Sequence, residues 1–215
     1  MPQSVKDEIK SGDVFYDIGA NQGLFSVFIN KALRNKVEIH IFEPISDNFN
    51  VIEKNLGLGN IFLNNVAIFD HEGKIKFKLP KKSMLSQSTI IEEVAEKYLK
   101  DYYEIKIKCM TLDDYVNNHK PPTFIKIDVE GAEPFVIEGD KKLFFKFNPQ
   151  IIMEILTGNI GLKYSLKAAT KLEELGYIYK ISDETGRIEI QSLGKIENFI
   201  KGRIDINGDN FLFKK

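Results

Sequence analysis

Residues 13–26 constrain the fold of this chain more than any other stretch. They read DVFYDIGANQGLFS: a short apolar strand, the acidic Asp17, a loop with Gly19 and Gly23, and then apolar residues at helical spacing. Glycines in such a loop let a ligand approach the backbone, and the start of the following helix presents unpaired N–H groups to it. The stretch therefore predicts a nucleotide-cofactor loop between a strand and a helix.

The order of the acid and the glycines narrows the class of cofactor. Dinucleotide sites carry Gly-x-Gly-x-x-Gly, and their acidic residue follows about 20 residues later. In this chain Asp17 comes first and is followed by Gly-x-x-x-Gly. The order therefore disfavours an NAD-dependent oxidoreductase.

Composition argues against several classes of protein. The 215 residues, 43% of them hydrophobic, suffice for one domain with a full core. A formal net charge of −1 gives no basic field, so we expect no nucleic-acid partner. No apolar run reaches the ~20 residues that cross a bilayer and the polar N-terminal stretch has no signal core, so we expect no membrane partner and a cytoplasmic location. Cys109, the sole cysteine, is interpreted as a core residue.

Strand and helix patterns alternate along most of the chain. Apolar alternation predicts strands at 13–18, 36–43, 61–69, 74–79, 104–110, 123–129, 150–156, 177–181 and 187–191. Helical spacing predicts helices at 24–33, 46–56, 90–102, 111–114, 133–147 and 162–175. The alternation is typical of an α/β protein with a doubly wound, mostly parallel sheet. Ligands bind such sheets beyond the carboxyl ends of the strands.

Four polar residues fall at predicted carboxyl ends of strands: Asp17, Glu43, Asn65 and Asp128. We expect them to converge on one crevice. A carboxylate such as that of Glu43 can accept hydrogen bonds from both hydroxyls of a ribose, and the loop can bind a carboxylate or phosphate. The acids also suit a ligand with positive groups. S-adenosylmethionine, which has a ribose, a carboxylate, an ammonium and a sulfonium, fits this set.

A second informative stretch, FIKIDVEGAE, places Lys126, Asp128 and Glu130 at alternate positions of a strand. The spacing predicts all three on one side of the strand, near its carboxyl end. A structural salt bridge between Lys126 and Glu130 is one interpretation of the pattern. Asp128, Glu130, Glu133 and Glu154 together offer the oxygen ligands that Mg²⁺ prefers. Because nothing in the spacing fixes a coordination geometry, we expect no metal.

Taken together, these stretches resemble the FkbM-type methyltransferase family, a branch of the class I S-adenosylmethionine-dependent fold. The resemblance covers residues 12–156 and is carried by DVFYDIGANQGLFS, IHIFEP, NNVAIFDHEGKIKF, TLDDYV and FIKIDVEGAEPFVIEG followed by IIMEI. It implies a seven-stranded, Rossmann-like sheet, S-adenosylmethionine as the cofactor, and methyl transfer. It further implies O-methylation of a small-molecule or glycan acceptor, at a hydroxyl of a sugar, glycan or secondary metabolite.

The resemblance also implies roles for particular residues. The cofactor-binding group comprises Asp17, Gly19, Ala20, Asn21, Gly23, Glu43, Pro44, Asn65, Val66, Ala67 and Asp128. The candidate catalytic acids are Asp128, Glu130 and Glu154. Asp17 would support the loop or the ammonium of the cofactor, Glu43 would hold the ribose diol, and residues 65–67 would lie beside the adenine. Asp128 and Glu130 both suit the role of general base.

Residues 70–112 interrupt the alternation within what we expect to be a single methyltransferase domain, residues 1–215. The patterns predict a hairpin of 61–69 with 74–79, a polar loop at 80–88 and the helical stretch near 90–103. This helix is either a surface helix or a lid over the acceptor site.

Two other functions stay open at this point. Asn148, Pro149 and Gln150 partly match a motif of amino-methylating nucleic-acid methyltransferases, but the second proline and the aromatic residue are missing. A non-catalytic module that binds S-adenosylmethionine or another nucleotide would also keep the loop. The acids at the strand ends favour an enzyme over such a module.

Overall fold

An eight-stranded sheet forms the centre of the computed structural model, which describes residues 8–56, 60–81, 89–99, 101–156, 159–182, 188–191 and 209–215. In spatial order the strands are β10 (Ile188–Gln191), β9 (Ile178–Ser182), β11 (Asp209–Lys214), β8 (Gln150–Ile155), β7 (Phe124–Ile127), β1 (Val14–Ile18), β2 (Glu38–Phe42) and β3 (Ile61–Asn64). The pairs from β3 to β8 are parallel, whereas β11 is antiparallel to β8 and β9, and β10 to β9. The mostly parallel α/β sheet is confirmed. Its described part has eight strands rather than seven, because β10 pairs with the edge of β9.

Helices cover both faces of this sheet. The described helices are α1 (Leu24–Ala32), α2 (Ser46–Asn55), α3 (Glu92–Tyr98), α4 (Leu112–Tyr115), α5 (Glu133–Gly139), α6 (Lys141–Phe147) and α7 (Asn159–Glu174), and all but α3 contribute to the two cores of this sheet. Alternate residues of β1 enter two cores: Phe15 packs in the cluster of α1 and α2, and Tyr16 in the cluster of α4 to α7. The central strands are therefore buried on both sides, which explains their continuous apolar sequences.

A second, three-stranded sheet has the order β4 (Ala67–Ile68), β6 (Tyr102–Met110), β5 (Gly73–Pro80). The predicted hairpin of 61–69 with 74–79 is wrong, because the first segment divides between β3 in the main sheet and β4 in this one. β5 pairs instead with β6, from Gly73 opposite Cys109 to Pro80 opposite Tyr102. Since β6 begins at Tyr102, the helix predicted at 90–102 is shorter and ends at Tyr98. Cys109 is buried, as predicted.

Two other predictions need correction or fall outside the structure, and one strand was not predicted. The helix at 133–147 divides at Asp140, whose backbone leaves the helical region (φ −119°, ψ 24°). The sequence patterns did not predict strand β11 (Asp209–Lys214). Residues 82–88 of the predicted loop lie outside the described part of the chain. None of the described helices combines the length and apolar character needed to cross a membrane.

Asp140 joins α4 to α6 through reciprocal capping. Its buried Oδ1 accepts hydrogen bonds from the N–H groups of Leu112 (2.5 Å) and Asp113 (3.1 Å), at the start of α4. Asp113 Oδ1 in turn accepts from the N–H of Leu143 in α6 (2.7 Å). Each carboxylate satisfies N–H groups that have no partner within their own helix.

Asp140→Ala should lower the free energy of unfolding by about 2 kcal/mol, because it leaves one buried and one part-buried N–H group without an acceptor. Asp140→Asn keeps an oxygen at this position and should lose less. Denaturant unfolding of the two variants measures the difference. Equal losses would contradict the capping role of the oxygen.

Candidate active site

The loop between β1 and α1 is clamped by the carboxyl ends of the neighbouring strands. The N–H groups of Gly19 and Ala20 both donate to the carbonyl of Phe42, at 3.0 and 3.3 Å. Gly19 (φ 73°) and Gly23 (φ 74°) adopt the left-handed conformation that glycine tolerates. A Cβ at position 19 would lie 1.9 Å from the carbonyl oxygen of Asp128. The loop therefore requires glycine at this point in order to approach the end of β7.

Asp17 lies beneath the loop and has no exposed surface. Its Oδ2 accepts a hydrogen bond from Ser26 Oγ in α1 (2.6 Å), and its Oδ1 lies 3.6 Å from Lys126 Nζ. The side chain thereby links β1 to the first turns of α1 and to β7. Of the two roles expected for Asp17, the geometry supports that of holding the loop.

Lys126 pairs with two carboxylates and with the loop. Its Nζ lies 3.0 Å from Asp128 Oδ2 and donates to the carbonyl of Gly19 at 3.4 Å. Burial alone would lower the pKa of Lys126, but the carboxylates of Asp128 and Asp17 together raise it above its ordinary value. The salt bridge with Glu130, which is one interpretation of the spacing, is not found among the described residues, because β7 ends at Ile127 and Glu130 turns away with a left-handed backbone (φ 53°).

Glu43 follows β2 and is 4% exposed. Its Oε2 accepts a hydrogen bond from the N–H of Asn21 (2.8 Å), and its Oε1 accepts from the N–H of Ile45 (2.9 Å) and from Asn48 Nδ2 (3.5 Å). Burial raises its pKa to about 7, although these hydrogen bonds oppose the shift. Asn65 Nδ2 donates to the backbone carbonyl of Glu43 (2.8 Å) and so holds this strand end in place.

Two pockets open at this edge of the sheet. The first, here called the cleft, has a volume of about 680 Å³ with its mouth and is lined by Ile18, Gly19, Asn21, Phe42, Glu43, Pro44, Ile45, Asn48, Ala67, Ile68, Phe69, Ile75, Phe77, Ile90, Asp128, Val129, Glu130 and Ala132. The second, here called the groove, has a volume of about 1140 Å³ with its mouth and is lined by Gly19, Ala20, Asn21, Gln22, Leu24, Phe25, Phe28, Lys126, Asp128 and Glu154. Gly19, Asn21 and Asp128 line both, so the pockets meet at the loop and the end of β7.

The structure divides the sequence-predicted residues among these pockets. Glu43, Pro44, Ala67 and Glu130 line the cleft, Ala20 and Glu154 line the groove, and Gly19, Asn21 and Asp128 line both. Asp17, Gly23, Asn65 and Val66 line neither. The convergence of the four strand ends is thus observed, but Asp17 and Asn65 support the walls rather than form them.

The turn that carries Glu130 is held from two sides. Glu133 is buried, and its Oε1 accepts from the N–H groups of Val129 (3.1 Å) and Gly131 (3.3 Å). The carbonyl of Glu130 accepts from Thr89 Oγ1 (2.9 Å). A strained backbone that is fixed in this way is a recurrent feature of functional sites.

The acids around Asp128 have raised pKa values. Burial first, and then the charge of Asp128, raise the pKa of Glu130 to about 8 and that of Glu154 to about 7. Burial raises the pKa of Glu133 to about 7. Within the described residues, no three His, Cys, Asp or Glu side chains are grouped so that they could hold a metal ion. The cluster therefore offers carboxyl groups that exchange protons near neutral pH.

Sequence reasoning missed three polar residues that position the site: Ser26, Asn48 and Thr89. Thr89 is fully buried, donates to Glu130 and accepts from the N–H of Ile91 at 3.1 Å. It precedes Glu130 by 41 residues, so no local pattern predicts the contact. Ser26 lies within the first informative stretch, and its role follows only from the fold of α1 over Asp17.

Comparison with known proteins identifies relatives of this arrangement. Residues 17–203 match the methyltransferase FkbM domain family. The fold is similar to that of an FkbM methyltransferase from Methylobacillus flagellatus KT (TM-score 0.59, 14% identity), over 96% of this chain and 44% of that protein. It is also similar to that of a putative rRNA methylase from Clostridium thermocellum (TM-score 0.56, 12% identity), over 100% of this chain and 97% of that protein. A third similar structure is that of Aeropyrum pernix fibrillarin with natively bound S-adenosyl-L-methionine (TM-score 0.51, 12% identity), over 96% of this chain and 67% of that protein.

The matched proteins differ from this chain in length and in sequence. The chain spans less than half the length of the FkbM methyltransferase whose structure it resembles. At identities of 12–14% the solved structures show the fold alone. No curated protein sequence matches the chain.

Thr89→Val should lower the free energy of unfolding by about 1–2 kcal/mol, because the carbonyl of Glu130 and the N–H of Ile91 lose a shared partner. Thr89→Ser keeps the hydroxyl and should retain most of the stability. Denaturant unfolding of both variants tests the contact. A Val variant as stable as the Ser variant would show that these groups do not depend on the hydroxyl.

Proposed function

Because the chain belongs to the FkbM methyltransferase domain family, we propose that it methylates a hydroxyl of a sugar, a glycan or a secondary metabolite. One observation carries the choice of a hydroxyl: Asp128, Glu130 and Glu154 lie together beside the loop, and the pKa values of Glu130 and Glu154 are about 8 and 7. A hydroxyl loses its proton when it is methylated. A carboxyl group that titrates near neutral pH is suited to accept that proton.

S-adenosylmethionine is the cofactor, and when bound it supplies a methyl group activated by a sulfonium. The chemistry of the cleft suits this molecule, because the Glu43 carboxylate and apolar walls line it together. Glu43 would hold the ribose diol, and Pro44 and Ala67 would lie against the adenine. Gly19 and Asn21 would present backbone to the methionine part.

Three further residues of the predicted cofactor group, Asp17, Gly23 and Asn65, contact the protein itself. Asp17 holds Lys126 and α1, Gly23 gives the turn into α1, and Asn65 fixes the backbone of Glu43. We therefore assign these side chains to the frame of the site. Loss of Asp17 or Gly23 would weaken cofactor binding by loosening the loop, and loss of Asn65 would weaken it by releasing the backbone of Glu43.

Catalysis requires that the acceptor oxygen be held in line with the methyl group and lose its proton. Asp128 lies where the cleft and the groove meet, so its carboxylate can contact both substrates. Glu154 lines the groove, whereas Glu130 lines the cleft. We assign the role of general base to the pair of Asp128 and Glu154. We assign to Glu130 the binding of the reacting part of the cofactor, on the cleft side.

A nucleic-acid acceptor is supported by the fold shared with an rRNA methylase at 12% identity and by the partial motif at residues 148–150, which follows α6 and lines neither pocket. The groove opposes it, because Asp128 and Glu154 would repel phosphates. A non-catalytic binding module does not explain why three carboxyl groups lie beside the loop. The single domain at 1–215, the insertion at 70–112, the lid role of the helix within it and the cytoplasmic location stay predictions.

Glu43→Ala should weaken the binding of S-adenosylhomocysteine by about 10- to 100-fold, which corresponds to the loss of a charged hydrogen-bond acceptor. Calorimetry measures the dissociation constant. Glu53→Ala, on the exposed side of α2, is the matched control and should bind as the wild type does. A wild type that binds neither S-adenosylmethionine nor its demethylated product would defeat the proposed function.

The value of kcat/KM for a hydroxyl acceptor should rise with pH between about 6 and 8, because the general base must be ionised before it can accept a proton. Glu154→Gln should abolish this rise, and Glu130→Gln should keep it. Initial rates across the pH range measure the effect. The opposite result would move the role of base from Glu154 to Glu130.

A further inference from the structure

Helix α1 exposes two large apolar side chains beside the site. Leu24 is 76% exposed and Phe28 is 44% exposed, whereas Ser26 and Ile29 are buried. Because Leu24 and Phe28 are four residues apart, they lie on one face of the helix. Helical spacing alone predicts such residues in a core, so their exposure requires another explanation.

Both side chains line the groove. Phe25 lies between them in the sequence, is half-buried and stacks on Phe15 with ring centroids 5.6 Å apart. The same groove is lined by Asp128 and Glu154. It therefore combines an apolar surface with two carboxyl groups, which is the usual composition of a small-molecule site.

The charges of the groove restrict what it can bind. Lys126 is the one cation among its described lining residues, and its Nζ lies 3.0 Å from Asp128 and 3.6 Å from Asp17. Its charge is thus compensated within the protein, and Glu154 adds a further acid. Carboxylates accept hydrogen bonds from hydroxyls and repel phosphates.

We propose that the groove is the acceptor site and that it selects an amphipathic acceptor without negative charge. A hydroxyl of this acceptor faces Asp128 and Glu154, and its apolar portion packs on Leu24 and Phe28. The inference rests on the proposed function, because an acceptor in the groove needs the methyl donor in the adjoining cleft. Gly19, Asn21 and Asp128, which line both pockets, place the two ligands side by side.

The chain contains no tryptophan, so a single introduced one reports on its own surroundings. Phe28→Trp places the reporter in the groove, and Phe145→Trp places it at a 73% exposed position of α6 that lines neither pocket. Each variant is saturated with S-adenosylhomocysteine and titrated with phenyl β-D-glucopyranoside, methyl β-D-glucopyranoside and glucose 6-phosphate. These probes share a sugar and differ in apolar area and charge.

We expect a saturable fluorescence change with the phenyl glucoside in Phe28→Trp and none in Phe145→Trp. The methyl glucoside should bind at least about tenfold more weakly, since it lacks the ring that packs on the apolar surface. Glucose 6-phosphate should give no change. In calorimetry, Phe28→Ala should bind the phenyl glucoside at least about tenfold more weakly than the wild type does, because it also lacks the apolar contact. Phe145→Ala should bind it as the wild type does.

Two failures are distinguishable. If the wild type does not bind S-adenosylhomocysteine in calorimetry, the proposed function fails. If it binds and Phe28→Trp does not respond to the phenyl glucoside, or responds equally to glucose 6-phosphate, the acceptor-site proposal is overturned while the methyltransferase assignment stands.

Discussion

The close approach of the loop to the end of β7 is the contact on which the site depends. A Cβ at Gly19 would meet the carbonyl oxygen of Asp128 at 1.9 Å, so only glycine allows the two segments to touch. Lys126 strengthens the junction, because its ammonium contacts the carbonyl of Gly19 and the carboxylates of Asp17 and Asp128. The cleft and the groove both open at this junction, and their separation into two pockets follows from it.

The buried acids around the junction lower the stability of the protein at neutral pH. The pKa values of Glu43, Glu133 and Glu154 are raised to about 7 and that of Glu130 to about 8, mainly by burial. The folded state therefore binds protons more tightly than the unfolded chain, whose glutamates titrate near pH 4.3. The contribution of these protonated glutamates to the free energy of unfolding is complete below about pH 4.3 and is lost as the pH rises through 7 to 8. A catalytic or binding role explains the presence of four such groups near the carboxyl-terminal edge of the sheet better than a stabilising role does.

The sequence predicted what depends on local pattern. The central strands, α1 and the strand-end positions of Glu43 and Asp128 follow from periodicity, glycine placement and the rule that parallel strands end at one edge. It did not predict the pairing of β5 with β6 or the insertion of β11, because strand pairing is decided by distant segments. The Lys126–Glu130 salt bridge does not form for a related reason. Side chains alternate between the two faces of a sheet only within a strand, and β7 ends before Glu130.

The exposure of Leu24 and Phe28 follows from a polar contact made by their own helix. Ser26 is buried because its hydroxyl bonds to Asp17, and this contact fixes the rotation of α1 about its axis. Residues two positions away from Ser26 are turned by about 200°, so Leu24 and Phe28 must face away from the core. Periodicity cannot distinguish an apolar residue that faces the core from one that faces a ligand. The buried serine makes the distinction, and it links the support of the cofactor loop to the surface that we assign to the acceptor.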